Sequence, residues 1–92
     1  MMETVAIIVE GLVQGVYYRQ STRAKAIELS ITGEVKNRTD GTVHIIATGD
    51  SGQLDALVEW CRVGPENAIV TKLTVEKIPL RSFSGFTVVR RV

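Results

Sequence analysis

The first patterned segment, Val5-Ala6-Ile7-Ile8-Val9, is rich in β-branched residues and has no polar member. It predicts a central strand covered on both faces, or nearly so. Glu10-Gly11 closes it, and Gly11 to Gly15 predicts a loop. From about Tyr17 to Ser30 the residues are helix formers, free of glycine and proline. Tyr18, Thr22, Ala26 and Leu29 recur there at spacings of four, four and three, which places them on one helical face. Thr32 to Asn37 predicts a second strand and Thr42 to Thr48 a third, joined by a hairpin turn at Asn37-Arg38-Thr39-Asp40-Gly41. In the third strand Val43, Ile45 and Ala47 alternate with Thr42, His44, Ile46 and Thr48, one face apolar and the other mixed. Asp50-Ser51 caps a second helix running to about Arg62, with Leu54, Leu57, Val58 and Cys61 in an amphipathic register. Gly64-Pro65 ends it; Leu73 to Ile78 and Phe86 to Arg90 complete the strands. The order β-α-β-β-α-β plus a terminal strand predicts an α+β fold, a ferredoxin-like split β-α-β sandwich. Two helices would cover one face of a mostly antiparallel sheet.

At 92 residues the chain has room for one core, so a single domain over 1–92 is expected. Hydrophobic residues at 45% and charged residues at 23% give ordinary globular composition. One cysteine, Cys61, excludes an intrachain disulfide and a multi-cysteine metal site. Eleven basic and ten acidic residues leave a net charge of +1, which gives no reason to expect a nucleic-acid or membrane partner. No apolar run is long enough to span a bilayer, and Met1-Met2-Glu3-Thr4 lacks the features of a signal peptide. A cytoplasmic monomer is the expectation.

The segment richest in chemistry is Gly11-Leu12-Val13-Gln14-Gly15-Val16-Tyr17-Tyr18-Arg19, a link from a strand to a helix N-terminus. Consecutive N–H groups at such a junction can converge on an anion, and the helix end adds about half a positive charge. Two glycines would permit positive φ and close approach to a ligand. Arg19, in the first helical turn, could reach the same place with a fork that matches phosphate oxygens. Alternatively, the glycines only relieve crowding and Arg19 is solvated. The Gly-Lys-Ser/Thr ending of a nucleotide-binding P-loop is absent. Asn37, at the end of the second strand, either opens the hairpin as a turn former or approaches this loop and orients a water with its carboxamide.

Together these segments resemble the acylphosphatase family. Its first motif, Gly-x-Val-Gln-Gly-Val-x-Phe/Tyr-Arg, is met at every fixed position by Gly11 through Arg19. Its second is matched by Gly33, Val35, Asn37, Gly41, Val43 and the later Gly49. Gly64-Pro65-x-x-Ala68 and Gly85-Phe86-x-Val88-x-Arg90 also look like the family, so the resemblance spans the chain. Glu34 departs from a usual aromatic, and Ser30 from a glycine that often ends the first helix.

The resemblance implies hydrolysis of a carboxylic-phosphoric anhydride to carboxylate and phosphate, without metal or cofactor. The backbone amides of Gln14, Gly15, Val16, Tyr17, Tyr18 and Arg19, with the Arg19 side chain, would hold the phosphoryl oxygens. Asn37 would place the water. The substrate would be a small-molecule acyl phosphate, with inorganic phosphate as product and inhibitor. Of the remaining residues, His44 reads as structural or surface and Cys61 as a buried, inert thiol. Trp60 reads as an exposed or rim residue. Tyr17 and Tyr18 should split, one under the loop and one at its mouth. Arg90 and Arg91 read as a solvated pair that could add positive potential together with Arg38. The competing class is a non-enzymatic module of the same fold that binds phosphate or a phosphoprotein. Single-stranded RNA binding is set aside because strands one and three carry no aromatic residue.

Overall fold

The computed structural model describes residues 1–90. Its elements are β1 (Met2–Leu12), α1 (Tyr18–Glu28), β2 (Thr32–Asn37), β3 (Val43–Asp50), α2 (Ser51–Val63), β4 (Ile69–Ile78) and β5 (Phe86–Val89). The five strands form one sheet in the order β4-β1-β3-β2-β5. β1 runs antiparallel to both β3 and β4, β2 is antiparallel to β3, and β2 is parallel to β5. The expected α+β sandwich is therefore present: two helices lie on a mostly antiparallel sheet.

The core is the alternate set of strand residues under the helices. Val5, Ile7 and Val9 of β1, Val43, Ile45 and Ala47 of β3, and Val35 of β2 are buried with Tyr18 and Ala26 of α1 and Leu54, Leu57 and Cys61 of α2. Of the two faces of β1 expected to be covered, or nearly so, one is fully buried. The other, with Ala6 and Ile8, is only half-buried, beside His44 and Ile46 of β3. Glu34 alternates with the buried Gly33 and Val35, so its charge sits on that open face rather than in the core.

β1 and β4 are longer than the hydrophobic pattern indicated; β1 gains Met2 to Thr4 by pairing with the end of β3, and both strands gain residues where they pair with each other. The pairing of β1 with β4 slips at Glu10/Gly11 and then continues, Gly11 against Val70 and Leu12 against Ile69. Gly11 has φ 126, and a Cβ there would lie 2.1 Å from the Ile69 carbonyl oxygen. The glycine serves a β-bulge against β4 rather than a ligand loop. The early half of β4 has exposed side chains at Ile69, Thr71 and Lys72, so no apolar alternation marked it.

α1 is shorter than expected, ending at Glu28. The chain turns out through Ser30 at φ 60, while the Ile31 N–H donates back to the Ala26 carbonyl at 2.8 Å. This left-handed position suits glycine, the residue that the resemblance led one to expect there. α2 starts as expected at Asp50, whose N–H donates to the Gln53 side-chain oxygen at 2.9 Å. No helix among the described residues is long and apolar enough to cross a membrane.

Candidate active site

β1 delivers the chain into a turn whose backbone changes hand residue by residue. Gly15 has φ 75 and Tyr17 φ 62, with no positive φ at Val16 between them. Alternating handedness of this kind turns successive N–H groups into one concavity, the geometry of an anion nest. Gly15 meets that need freely, and a Cβ on it would find no atom within 4 Å. Tyr17 adopts the same region although it is bulky and 80% exposed, an uncommon state for such a residue.

Tyr17 is also the N-cap of α1, without a side-chain cap and with no acidic residue in the first turn. The first helical bond runs from the Ser21 N–H to the Tyr17 carbonyl at 3.0 Å. None of the N–H groups from Gly15 to Arg19 donates to a backbone carbonyl among the described residues. The loop thus presents open donors at the positive end of a helix dipole.

A cleft of about 250 Å³ opens at this point, lined by Val13, Gly15, Tyr17, Tyr18, Arg19 and Asn37. Arg19 is half-buried, and no described carboxylate lies within ion-pair distance of it. Asn37 reaches the cleft from the end of β2, where it pairs with Val43 of β3. Its Oδ1 is buried and, among the described residues, is the side-chain oxygen or nitrogen left buried without a partner. A buried acceptor with no donor is costly, and in native proteins it signals a bound water, an ion or a catalytic role. Sheet order brings these groups together: β2 lies one strand beyond β3, and its end faces the loop that leaves β1.

Gln14 and Val16 lie outside this lining. The Gln14 side chain crosses to the β2–β3 turn, its Nε2 donating to the Arg38 carbonyl at 2.8 Å and to the Thr42 carbonyl at 2.9 Å. Nothing in the sequence pattern signalled this bridge.

The two tyrosines split. Tyr17 stands at the mouth, and Tyr18 is 1% exposed beneath it. The Tyr18 hydroxyl donates to the Cys61 carbonyl at 2.5 Å, and its ring lies 5.7 Å from that of Trp60. Trp60 is half-buried against the core and lines a shallow cleft on the helix side with Ser21, Lys25 and Pro65, a rim position. Gly64 makes room for the ring, since a Cβ there would come within 2.5 Å of Tyr18 Cε2. Burial, reinforced by Cys61, raises the Tyr18 phenol well above its ordinary range, so it remains a donor. Burial also pushes the Cys61 thiol up to about 12, in keeping with an inert thiol.

His44 lies on the half-buried open face, apart from the cleft. Desolvation, aided by Arg38, holds its pKa below the ordinary value. Arg38 and Arg90 are exposed and outside the lining, and Arg91 lies outside the described residues. Among the described residues, no three His, Cys, Asp or Glu side chains gather as a metal site.

A profile of the acylphosphatase family matches residues 5–88. The chain belongs to the acylphosphatase family. It is 52% identical over 81 residues to an acylphosphatase of Marinobacter nauticus, covering 87% of this chain and 88% of that one. It is 47% identical over 92 residues to an acylphosphatase of Methylococcus capsulatus, covering 99% and 100%. The structure of an acylphosphatase from Coxiella burnetii superposes with a TM-score of 0.92 at 39% identity, over 95% of this chain and 92% of that one. Family, fold and coverage agree that the chain is a hydrolase of acylphosphatase type.

Proposed function

We propose that the cleft hydrolyses the phosphoric anhydride bond of acyl phosphates, with the Gly15–Arg19 amides and the Arg19 guanidinium holding the phosphoryl oxygens and Asn37 placing the attacking water. The observation that carries this reading is the unpartnered, buried Asn37 Oδ1 in the same cleft as Arg19. A carboxamide oxygen accepts a hydrogen bond from water and so turns a lone pair of that water toward phosphorus.

Phosphoryl transfer spreads charge over the equatorial oxygens, so positioning and electrostatics supply most of the catalysis. The amides and Arg19 meet that charge with preset donors, and the left-handed Tyr17 is part of the presetting. Water oxygen bonds to phosphorus as the bond from phosphorus to the acyl oxygen breaks. The carboxylate leaves with the electron pair, and the water protons remain with phosphate or pass to solvent. A carboxylate leaving group needs no strong general acid, and with the cradle supplying positive charge the reaction runs without metal. The substrate is a small-molecule acyl phosphate, and inorganic phosphate, as product, occupies the same cradle and inhibits competitively.

Phosphate release from benzoyl phosphate tests the reading. The parent should turn over, with phosphate as a competitive inhibitor. Arg19→Ala should lower kcat by ~10²–10³ and weaken phosphate inhibition. Arg19→Lys should recover little, because a point charge does not reproduce a bidentate fork. A folded Arg19→Ala variant with near-normal turnover refutes the assignment. A protein that binds phosphate yet releases none from benzoyl phosphate is a binding module instead.

A further inference from the structure

We infer that the Gln14 side chain is a positioning residue, a brace that fixes the end of β2, and with it Asn37, relative to the phosphate cradle. The inference rests on the water-placing role of Asn37 proposed above. The Asn37 Oδ1 has no hydrogen-bond partner among the described residues, so no bond to this acceptor fixes it in place. Its placement is inherited from the backbone of the β2 end. That backbone must keep its distance from a loop on a different strand while water and phosphorus align to within a fraction of an ångström.

Gln14 supplies the connection. It immediately precedes the cradle, and its single nitrogen uses both hydrogens on the hairpin: on Arg38, the residue after Asn37, at 2.8 Å, and on Thr42 across the turn at 2.9 Å. These bonds are additional to those that close the hairpin. The Arg38 N–H already donates to the Thr42 carbonyl at 2.9 Å, and the Gly41 N–H to the Arg38 carbonyl at 3.1 Å. The Asp40 carboxylate further accepts from the Thr42 N–H at 3.0 Å and from its hydroxyl at 2.6 Å. Each carbonyl that Gln14 engages thus keeps another donor when Gln14 is gone. The turn does not need Gln14 in order to form; it needs Gln14 to stand at a fixed offset from Gly15–Arg19. A carboxamide suits this task because one nitrogen carries two hydrogens in a plane, and a hydroxyl has one.

The test is a double-mutant cycle on benzoyl phosphate hydrolysis. Gln14→Met keeps the length and removes both donors. Gln14→Glu keeps the shape and turns an acceptor toward two carbonyls. For both variants kcat should fall about tenfold or more, with the phosphate inhibition constant within about twofold of the parent and the circular-dichroism spectrum unchanged. Combined with Asn37→Ala, either substitution should lower kcat by less than about twofold further, because the group it positions is already gone. Losses that multiply in the double variant overturn the brace and leave the Asn37 reading standing. Weakened phosphate inhibition in the Gln14 variants, with kcat retained, also overturns it and makes Gln14 a support of the cradle alone. Unchanged kcat in Asn37→Ala itself overturns both the reading and the brace. If Gln14→Met fails to fold, the hairpin depends on the bridge for its formation and the inference is wrong; Gln14→Asn, with both donors but one carbon shorter, then measures how much of the fold that bridge carries.

Discussion

Replacing Tyr18 with phenylalanine isolates one atom beneath the active-site loop. The hydroxyl donates to the carbonyl of Cys61, in the last turn of α2, where the final four carbonyls have no helical partner. A neighbouring carbonyl, that of Trp60, is taken by the Gly64 N–H, but Cys61 depends on Tyr18. Tyr18 and Cys61 are both essentially closed to solvent, at 1% and 0%, so water does not replace the lost donor. The ring and its contact with Trp60 remain in Tyr18→Phe. What is lost is a hydrogen bond whose acceptor stays buried, about 1–3 kcal/mol. With a urea slope of ~1–3 kcal/mol/M for a small domain, the unfolding midpoint should fall by about 1 M. The Tyr18 backbone N–H does not move, so kcat on benzoyl phosphate should stay within about twofold of the parent. Urea unfolding followed by Trp60 fluorescence, alongside the steady-state assay, gives both numbers. An unchanged midpoint refutes the capping argument. A large loss of kcat at unchanged stability would place the hydroxyl in the chemistry instead.

Gly11→Ala should destabilise by roughly 2–4 kcal/mol in chemical denaturation, because the new Cβ meets the Ile69 carbonyl oxygen at a left-handed φ; a neutral result removes the bulge argument. Ser30→Gly should raise the melting temperature, by up to about 1 kcal/mol of stability, since Ser30 is held at φ 60. His44 has a depressed pKa in the fold, so its contribution to stability is present above its ordinary value of 6.5 and is lost as pH falls through the folded value. In His44→Ala that part of the acid destabilisation should disappear from a denaturation series across pH 7 to 4, while activity at neutral pH is largely kept.

The sequence made the two-helix sandwich readable because α2, β2 and β3 each bury one face and are closed by turn residues. It under-read the Gly11–Leu12 end of β1 and the Ile69–Lys72 end of β4 because their pairing resumes beyond the Gly11 bulge, where most side chains are exposed. That Gly15, Tyr17, Tyr18, Arg19 and Asn37 share one cleft matches the segments singled out in the sequence, although glycine spacing alone left a ligand loop and relief of crowding both open. Gly11, however, has a backbone role that spacing alone could not separate from ligand approach. Asn37 was placed near the loop by topology. The Gln14 bridge was not legible, since a glutamine's two donors become informative only when both acceptors have positions. Ser30, a departure from family pattern, became intelligible through its φ. Glu34 did so through its place on the open sheet face.

The most direct test of the account separates holding from attack at Asn37. Arg19 and the loop amides hold phosphate in ground and transition states alike, while Asn37 acts as water approaches, so its loss should register in kcat rather than in binding. Phosphate titration and a steady-state assay on folded Asn37→Ala supply both quantities. Phosphate affinity close to that of the parent, with kcat lowered at least about tenfold, a barrier increase of ~1.4 kcal/mol or more, is the predicted result. Lost phosphate affinity with kcat retained at saturation would make Asn37 a phosphate ligand and contradict the account.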